Sequence, residues 1–201
     1  TRLKLAGTSQ AELLAMTEKV EEGAALLADA AVDLIVFHCT GVSTFDVEME
    51  KRLKARIEKT TGKPATATSE ALVNGFKALG VRRVVLVSPY PKDINEREVA
   101  FFRAHDITIV REHGLSLTSG QAFAAVEPGD WYRHVMANRD DKAEAYFLSC
   151  TTIRAVPVIA TLERDLGKPV VTSNQAMVWQ ALRKGGVRDR IEGFGRLLAE
   201  H

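Results

Sequence analysis

The chain spells one pattern twice. An apolar run closing on Cys-Thr occurs as LIVFHCT at 34–40 and as AYFLSCT at 145–151. Each leads through an amphipathic stretch to Gly-Lys-Pro, a short run with Thr-Ser, and a helical pattern ending in Gly-Val. The two copies read TGKPATATSEALVNGFKALGV at 61–81 and LGKPVVTSNQAMVWQALRKGGV at 166–187. Physically, each copy is strand, turn with cysteine, helix, short strand, helix. Other β-prone runs fall between amphipathic stretches, so that Val32–Phe37, Ala65–Thr68, Val84–Val87, Ile107–Val110, Tyr146–Leu148 and Val170–Thr172 are the predicted strands. This alternation predicts parallel sheets covered by helices. We expect an α/β fold of two pseudo-symmetric halves with the site between them. The halves are 1–80 with 173–201 and 81–172, the chain crossing over between them.

Local signals agree with that plan. Ser9 before Glu12 and Asp93 before Glu96 each read as a side-chain cap with an acid three residues on. Met49, Leu53 and Ile57 form one apolar stripe on a charged helix. Pro157 suits the first turn of a helix running to Leu166, and Gly167 suits its end.

Each copy sets a thiol just past the carboxyl end of a strand, the edge at which open α/β sheets bind ligands. If the copies face each other, Cys39 and Cys150 approach one cleft from opposite sides. A cysteine between a strand and a helix lies near unpaired N–H groups, which stabilise thiolate and lower its pKa. The same N–H groups, with the hydroxyls of Thr40 and Thr151, can grip a carboxylate and an enolate. One thiol can then take a proton while the other gives one, or a thiol can add to a double bond and leave. Neither scheme needs a metal or an organic cofactor. Free cysteines also simply pack in cores, the competing account for either residue alone.

Tyr90, in Val87-Ser88-Pro89-Tyr90-Pro91, is placed to aim a phenol at the same cleft or to sit in a plain loop. His38 adjoins Cys39, but adjacent side chains of an extended strand face opposite ways, which assigns it a structural role. His105, His113, His134 and His201 show no companion spacing, and Trp131 and Trp179 read as packing residues.

Composition narrows the function classes. The 27 basic and 26 acidic side chains are interspersed, with a formal net charge of +1, so no strong field exists to collect nucleic acid or anionic lipid. Apolar runs such as Leu34–Phe37 are far short of the roughly 20 residues that span a bilayer. Two cysteines without CxxC spacing argue against a zinc site or a secreted disulfide scaffold and fit a reducing cytoplasm. The expected partner is a small carboxylate substrate, and exposed apolar positions on the covering helices leave room for a homodimer.

From Leu3 to Leu198 the chain resembles the aspartate/glutamate racemase superfamily, in its maleate cis-trans isomerase and arylmalonate decarboxylase branch. ALVNGFKALGVRRVVLVSPYPKDINEREVAFF is similar to both branch members. SCTTIRAVPVIATLERDLGKPVVTSNQAMVWQAL looks closer to the maleate isomerases. The resemblance implies Cys39 and Cys150 as the reacting pair, with Cys39 as nucleophile, and Thr40, Gly41, Tyr90 and Thr151 as the groups that hold the carboxylate. The decarboxylases carry Gly in place of Cys39, so the pair favours an isomerase or racemase over a decarboxylase working through Cys150 alone. A non-catalytic dicarboxylate-binding protein is the alternative from another class. Where maleate isomerases offer an Asn, this chain shows Thr118, Ser119 and Gly120. The family also opens with a strand and an acid-binding loop. We expect that segment to be missing ahead of Thr1, with one side of the sheet left open and activity impaired.

Overall fold

In a computed structural model, which describes residues 1–4, 7 and 9–201, all the strands of the described residues are parallel. Strands β1 (Ile35–Phe37) and β2 (Ala65–Ala67) form one pair, and β3 (Arg83–Ser88), β4 (Thr108–Gly114), β5 (Ala145–Leu148) and β6 (Val170–Thr172) form a sheet of order β4-β3-β5-β6. Helices alternate with them: α1 (Gln10–Met16), α2 (Val20–Asp29), α3 (Thr40–Ser43), α4 (Met49–Thr61), α5 (Thr68–Ala78), α6 (Lys92–Arg103), α7 (Gly120–Ala125), α8 (Pro128–Ala137), α9 (Ile159–Leu166), α10 (Ser173–Lys184) and α11 (Arg196–Glu200).

The repeated Gly-Lys-Pro has the same structural work in both copies. Gly62 ends α4 at φ 67° and Gly167 ends α9 at φ 68°, the left-handed conformation that glycine adopts without a Cβ penalty. Each glycine N–H closes on the carbonyl of a helix glutamate, Glu58 at 2.8 Å and Glu163 at 2.9 Å. The side chains of these glutamates then reach forward. Glu58 accepts the N–H of Ala65 at 3.1 Å, and Glu163 accepts that of Val170 at 3.0 Å. The proline carbonyls accept from the start of the neighbouring strand, Pro64 from Ile35, the first residue of β1, and Pro169 from Tyr146, the second of β5, both at 3.0 Å. One short motif thus stops a helix, starts a strand and sets its register.

Side chains on the central strands alternate between two cores. Val85 and Val87 of β3, with Tyr146 and Leu148 of β5, join the cluster beneath α4 and α8; Val84, Leu86, Ala145 and Phe147 join the one beneath α5, α6 and α10. Because both faces are covered, these strands are continuously apolar. In the second core Phe76, Phe102 and Phe147 meet edge to face with centroids 5.6–5.8 Å apart. Helices α5 and α10, equivalent members of the repeat, pack on each other, with Asn74 donating to Gln180 at 3.3 Å and Lys184 pairing with Glu70 at 2.9 Å.

Several expectations need adjustment. Ser9 and Glu12 do form a reciprocal capping box on α1. Asp93 does not cap α6: Pro91 occupies the capping position, and Asp93 is already in the first turn, where its carboxylate accepts from Arg97 at 3.0 Å. The proline fixes an extended residue directly before Lys92 and so starts the helix earlier than the acid pattern suggested. Strand β4 runs on to Gly114 through Arg111, Glu112 and His113, polar residues that an edge strand tolerates because one side faces solvent. His113 also has a companion, since its Nε2 lies 3.3 Å from Nδ1 of His134. Sequence spacing missed this pair because it joins β4 to α8. Among the described residues no helix is long and apolar enough to cross a membrane.

A Cβ at Gly62 or Gly167 would meet nothing within 4 Å, so substitution there tests backbone strain without a packing change. Gly62→Ala and Gly167→Ala should each destabilise the fold by about 1–2 kcal/mol, read from urea unfolding midpoints at unchanged slope.

Candidate active site

After β1 the chain continues through His38 to Cys39, which is extended and opens α3, and after β5 through Ser149 to Cys150, which sits at positive φ, so matching positions of the repeat end in different backbone conformations. Both line one cavity of about 620 Å³, together with Gly41, Tyr90, Thr151, Thr152 and His38. Both are free thiols, Cys39 half-buried and Cys150 buried, so no disulfide joins them. The rest of the cavity wall is largely apolar, including Leu13, Met16, Val20, Ile35, Phe37, Ile57, Ile94 and Phe123.

The Cys150 thiol is held from several sides. The Thr152 N–H donates to Sγ at 3.4 Å, and the Tyr90 phenol and the Thr152 hydroxyl favour the ionised sulfur. Its backbone sits at φ 109°, sparsely populated for a residue with a side chain, and such strain persists only where the surroundings over-determine it. The Tyr90 ring is fixed in turn by Phe123, edge to face at 5.6 Å. Cys39 occupies the capping position of α3, and its thiol faces the N–H groups of Val42 and Gly41.

These donors do not make either sulfur a resting thiolate. Burial pushes the Cys39 thiol up to about 12, outweighing the N–H groups of Val42 and Gly41, while Cys150 and Glu98 add to the rise. Burial likewise raises Cys150 above its ordinary value against the pull of Tyr90 and Thr152. The expectation of lowered thiol pKa values is therefore corrected. Desolvation of a charged sulfur exceeds what two or three N–H or O–H donors return, and α3 has a single turn to contribute. Burial, followed by the neighbouring thiols and Glu98, also keeps the Tyr90 phenol protonated well above its usual range.

Gly41, Tyr90 and Thr151 line the cavity with the thiols, but Thr40 lies behind it. The Thr40 hydroxyl has no exposed surface and donates to the Ser173 hydroxyl at 2.8 Å, and Ser173 also accepts the Cys150 N–H at 3.2 Å. Thr40 of one copy thereby grips the cysteine turn of the other. His38 borders the cavity just past the end of β1 at Phe37. Its imidazole is tied to Thr68 at 3.1 Å and Asn174 at 2.8 Å, a structural attachment. Ser119 caps α7 through the Ala122 N–H at 3.2 Å.

The sequence reasoning did not single out Thr152, Ser173 or Glu98. Thr152 follows the Cys-Thr pair directly, and Ser173 belongs to the repeated Thr-Ser. Replacing Ser173 by Ala leaves two buried donors, the Thr40 hydroxyl and the Cys150 N–H, without their acceptor. The expected loss is about 1–3 kcal/mol, and adding Thr40→Val should cost less in the Ser173→Ala background than in the parent; equal costs in a double-mutant cycle would show that the two do not act through one bond.

Comparison with known proteins identifies the family and the fold. Residues 1–198 match the arylmalonate decarboxylase family. The chain is 36% identical over 153 residues to the arylmalonate decarboxylase of Bordetella bronchiseptica, a match that takes in 74% of this chain and 63% of that enzyme's length. It is 28% identical over 208 residues to the maleate isomerase of Nocardia farcinica, covering 100% of this chain and 82% of the relative. It also superposes with a TM-score of 0.94 and 25% identity on a cysteine-to-serine variant of Nocardia farcinica maleate cis-trans isomerase with a covalently bound succinylcysteine intermediate, covering 100% of this chain and 85% of that one. The chain belongs to the arylmalonate decarboxylase family and has the Asp/Glu racemase-like fold of its decarboxylase and maleate isomerase relatives.

Proposed function

We propose that the chain is a cofactor-independent isomerase or racemase acting on a small dicarboxylate or α-substituted acid, with Cys39 and Cys150 as its reacting pair. The observation that carries this reading is the meeting of two free thiols in one cavity at equivalent ends of β1 and β5. Backbone N–H groups beside Gly41 and the hydroxyls of Tyr90 and Thr151 hold the carboxylate, while Thr40 fixes the distance between the two cysteine turns.

Addition to a double bond needs the Cys39 proton to leave as the S–C bond forms, because the thiolate and not the thiol is the nucleophile. The sulfur of Cys39, the less buried of the two residues, bonds to one olefinic carbon while Cys150 gives its proton to the other. The proton lost from Cys39 replaces the one given by Cys150, so the adduct forms without net charge. Its former double bond is now single and rotates, and the reverse sequence expels the trans acid with both thiols restored. A racemase step needs one sulfur ionised beforehand, which the raised thiol pKa values oppose.

Decarboxylation of a malonate-type acid through Cys150 is the second reading. The apolar wall formed by Leu13, Met16, Val20 and Ile57 favours it, since it would receive an aryl group.

Proton NMR in D₂O with maleate, aspartate, glutamate and phenylmalonate separates these readings. The parent should form fumarate or exchange a substrate proton, and Cys39→Ala and Cys150→Ala should each lose at least about a hundredfold in rate while keeping the parent's circular dichroism. Full activity in either variant would refute the two-thiol scheme. CO₂ release that survives Cys39→Gly would assign the decarboxylase. Ligand-induced stabilisation without turnover would identify a binding protein.

A further inference from the structure

Glu98 is a carboxyl group that the proposed chemistry leaves unused. It lies on α6 and has no exposed surface. Its Oε1 accepts the hydroxyl of Ser149, the residue before Cys150, at 2.9 Å, and its Oε2 is buried with no hydrogen-bond partner among the described residues. Buried carboxyl oxygens are seldom left without a partner, and one that is calls for a functional account. The groups that face Glu98 are Glu112 from β4, Arg97 from its own helix, Cys39 and Cys150 from the turns after β1 and β5, and Tyr90 from the loop after β3.

We propose that Glu98 is a positioning residue for the thiol pair: it fixes the Ser149–Cys150 turn by hydrogen bond and, by the charge it carries or lacks, sets how readily both sulfurs ionise. The proposal rests on the reading of Cys39 and Cys150 as the reacting groups. Burial, which outweighs the Ser149 hydrogen bond and is reinforced by Glu112, pushes the carboxyl up to about 8. At neutral pH it is an uncharged acid, and the thiols feel no anion from it. As pH rises through about 8 it ionises, and the new negative charge raises both thiols further. Burial is the main reason the thiols stay protonated, and the anion on Glu98 adds to it.

The test needs no substrate, so its outcome is independent of which acid the enzyme turns over, or whether it turns one over. Rates of iodoacetamide alkylation at Cys39 and Cys150 are followed against pH in the parent and in Glu98→Gln, which keeps the shape and the acceptor for Ser149. The parent should ionise its thiols at higher pH than Glu98→Gln. The infrared carbonyl band of a protonated carboxylic acid should be present in the parent at neutral pH, fade as pH passes 8, and be absent from the variant. Ser149→Ala supplies the second test: losing a bond that favours the ionised carboxylate moves the fading of that band to higher pH. Superimposable alkylation profiles for parent and folded Glu98→Gln, or a parent without the carboxylic acid band at neutral pH, would overturn the proposal.

Discussion

The hydroxyl of Ser173 is the point on which the two halves of the site depend. It receives the Thr40 hydroxyl from the turn after β1 and the Cys150 N–H from the turn after β5, while its own residue opens α10. Three chain segments far apart in sequence therefore share one buried oxygen. Remove the oxygen, and two donors sealed from water have nowhere to go. Because neither half can shift without breaking one of these bonds, the separation of the thiols is a property of the fold rather than of a loop.

This node works because the surrounding register is set by local means. The glutamate, glycine and proline arrangement at the ends of α4 and α9 fixes where β2 and β6 begin, and β2 and β6 lead directly into α5 and α10. A one-residue slip in either short strand would send its side chains to the opposite core, and a slip in β6 would carry Ser173 away from Thr40. Strands of three residues have few ladder bonds with which to resist such a slip. The carboxylates of Glu58 and Glu163 add the anchoring that the strands lack.

Much of this was legible in the sequence, and the exceptions have physical causes. The six strands and the repeat follow from apolar periodicity and repeated motifs, although the two Cys-Thr motifs turn differently, Cys39 extended at the start of α3 and Cys150 at φ 109°. Pro91 overrode the apparent Asp93 cap because its ring fixes the backbone before a side chain can compete. Thr40 was expected to touch substrate, but its hydroxyl turned to the other copy, a contact no linear motif encodes. Glu98 did leave a trace: it shares the helical stripe of Ile94, Phe101 and Phe102, where a surface glutamate should not be. It was overlooked because KDINEREVAFF is crowded with charge and reads as a solvated face. Thiol acidity was misjudged for a different reason, since sequence shows the donors beside a sulfur and not the protein that shuts water out.

The buried thiols bear on which chemistry the fold can support. A site that lowered both pKa values would hold one or two thiolates, good bases with no proton to return. This cavity does the reverse, holding Cys39 and Cys150 in their protonated forms beside a phenol that also keeps its proton. Such a set is rich in transferable protons and poor in standing charge, and it suits steps in which a bond to sulfur and a bond to hydrogen form together. Desolvation also strengthens whatever charge develops on a bound acid, since little water is present to compete for it. The desolvation that disfavours a resting thiolate leaves each sulfur to lose its proton within a bond-making step, a cost that falls on addition and on proton abstraction alike.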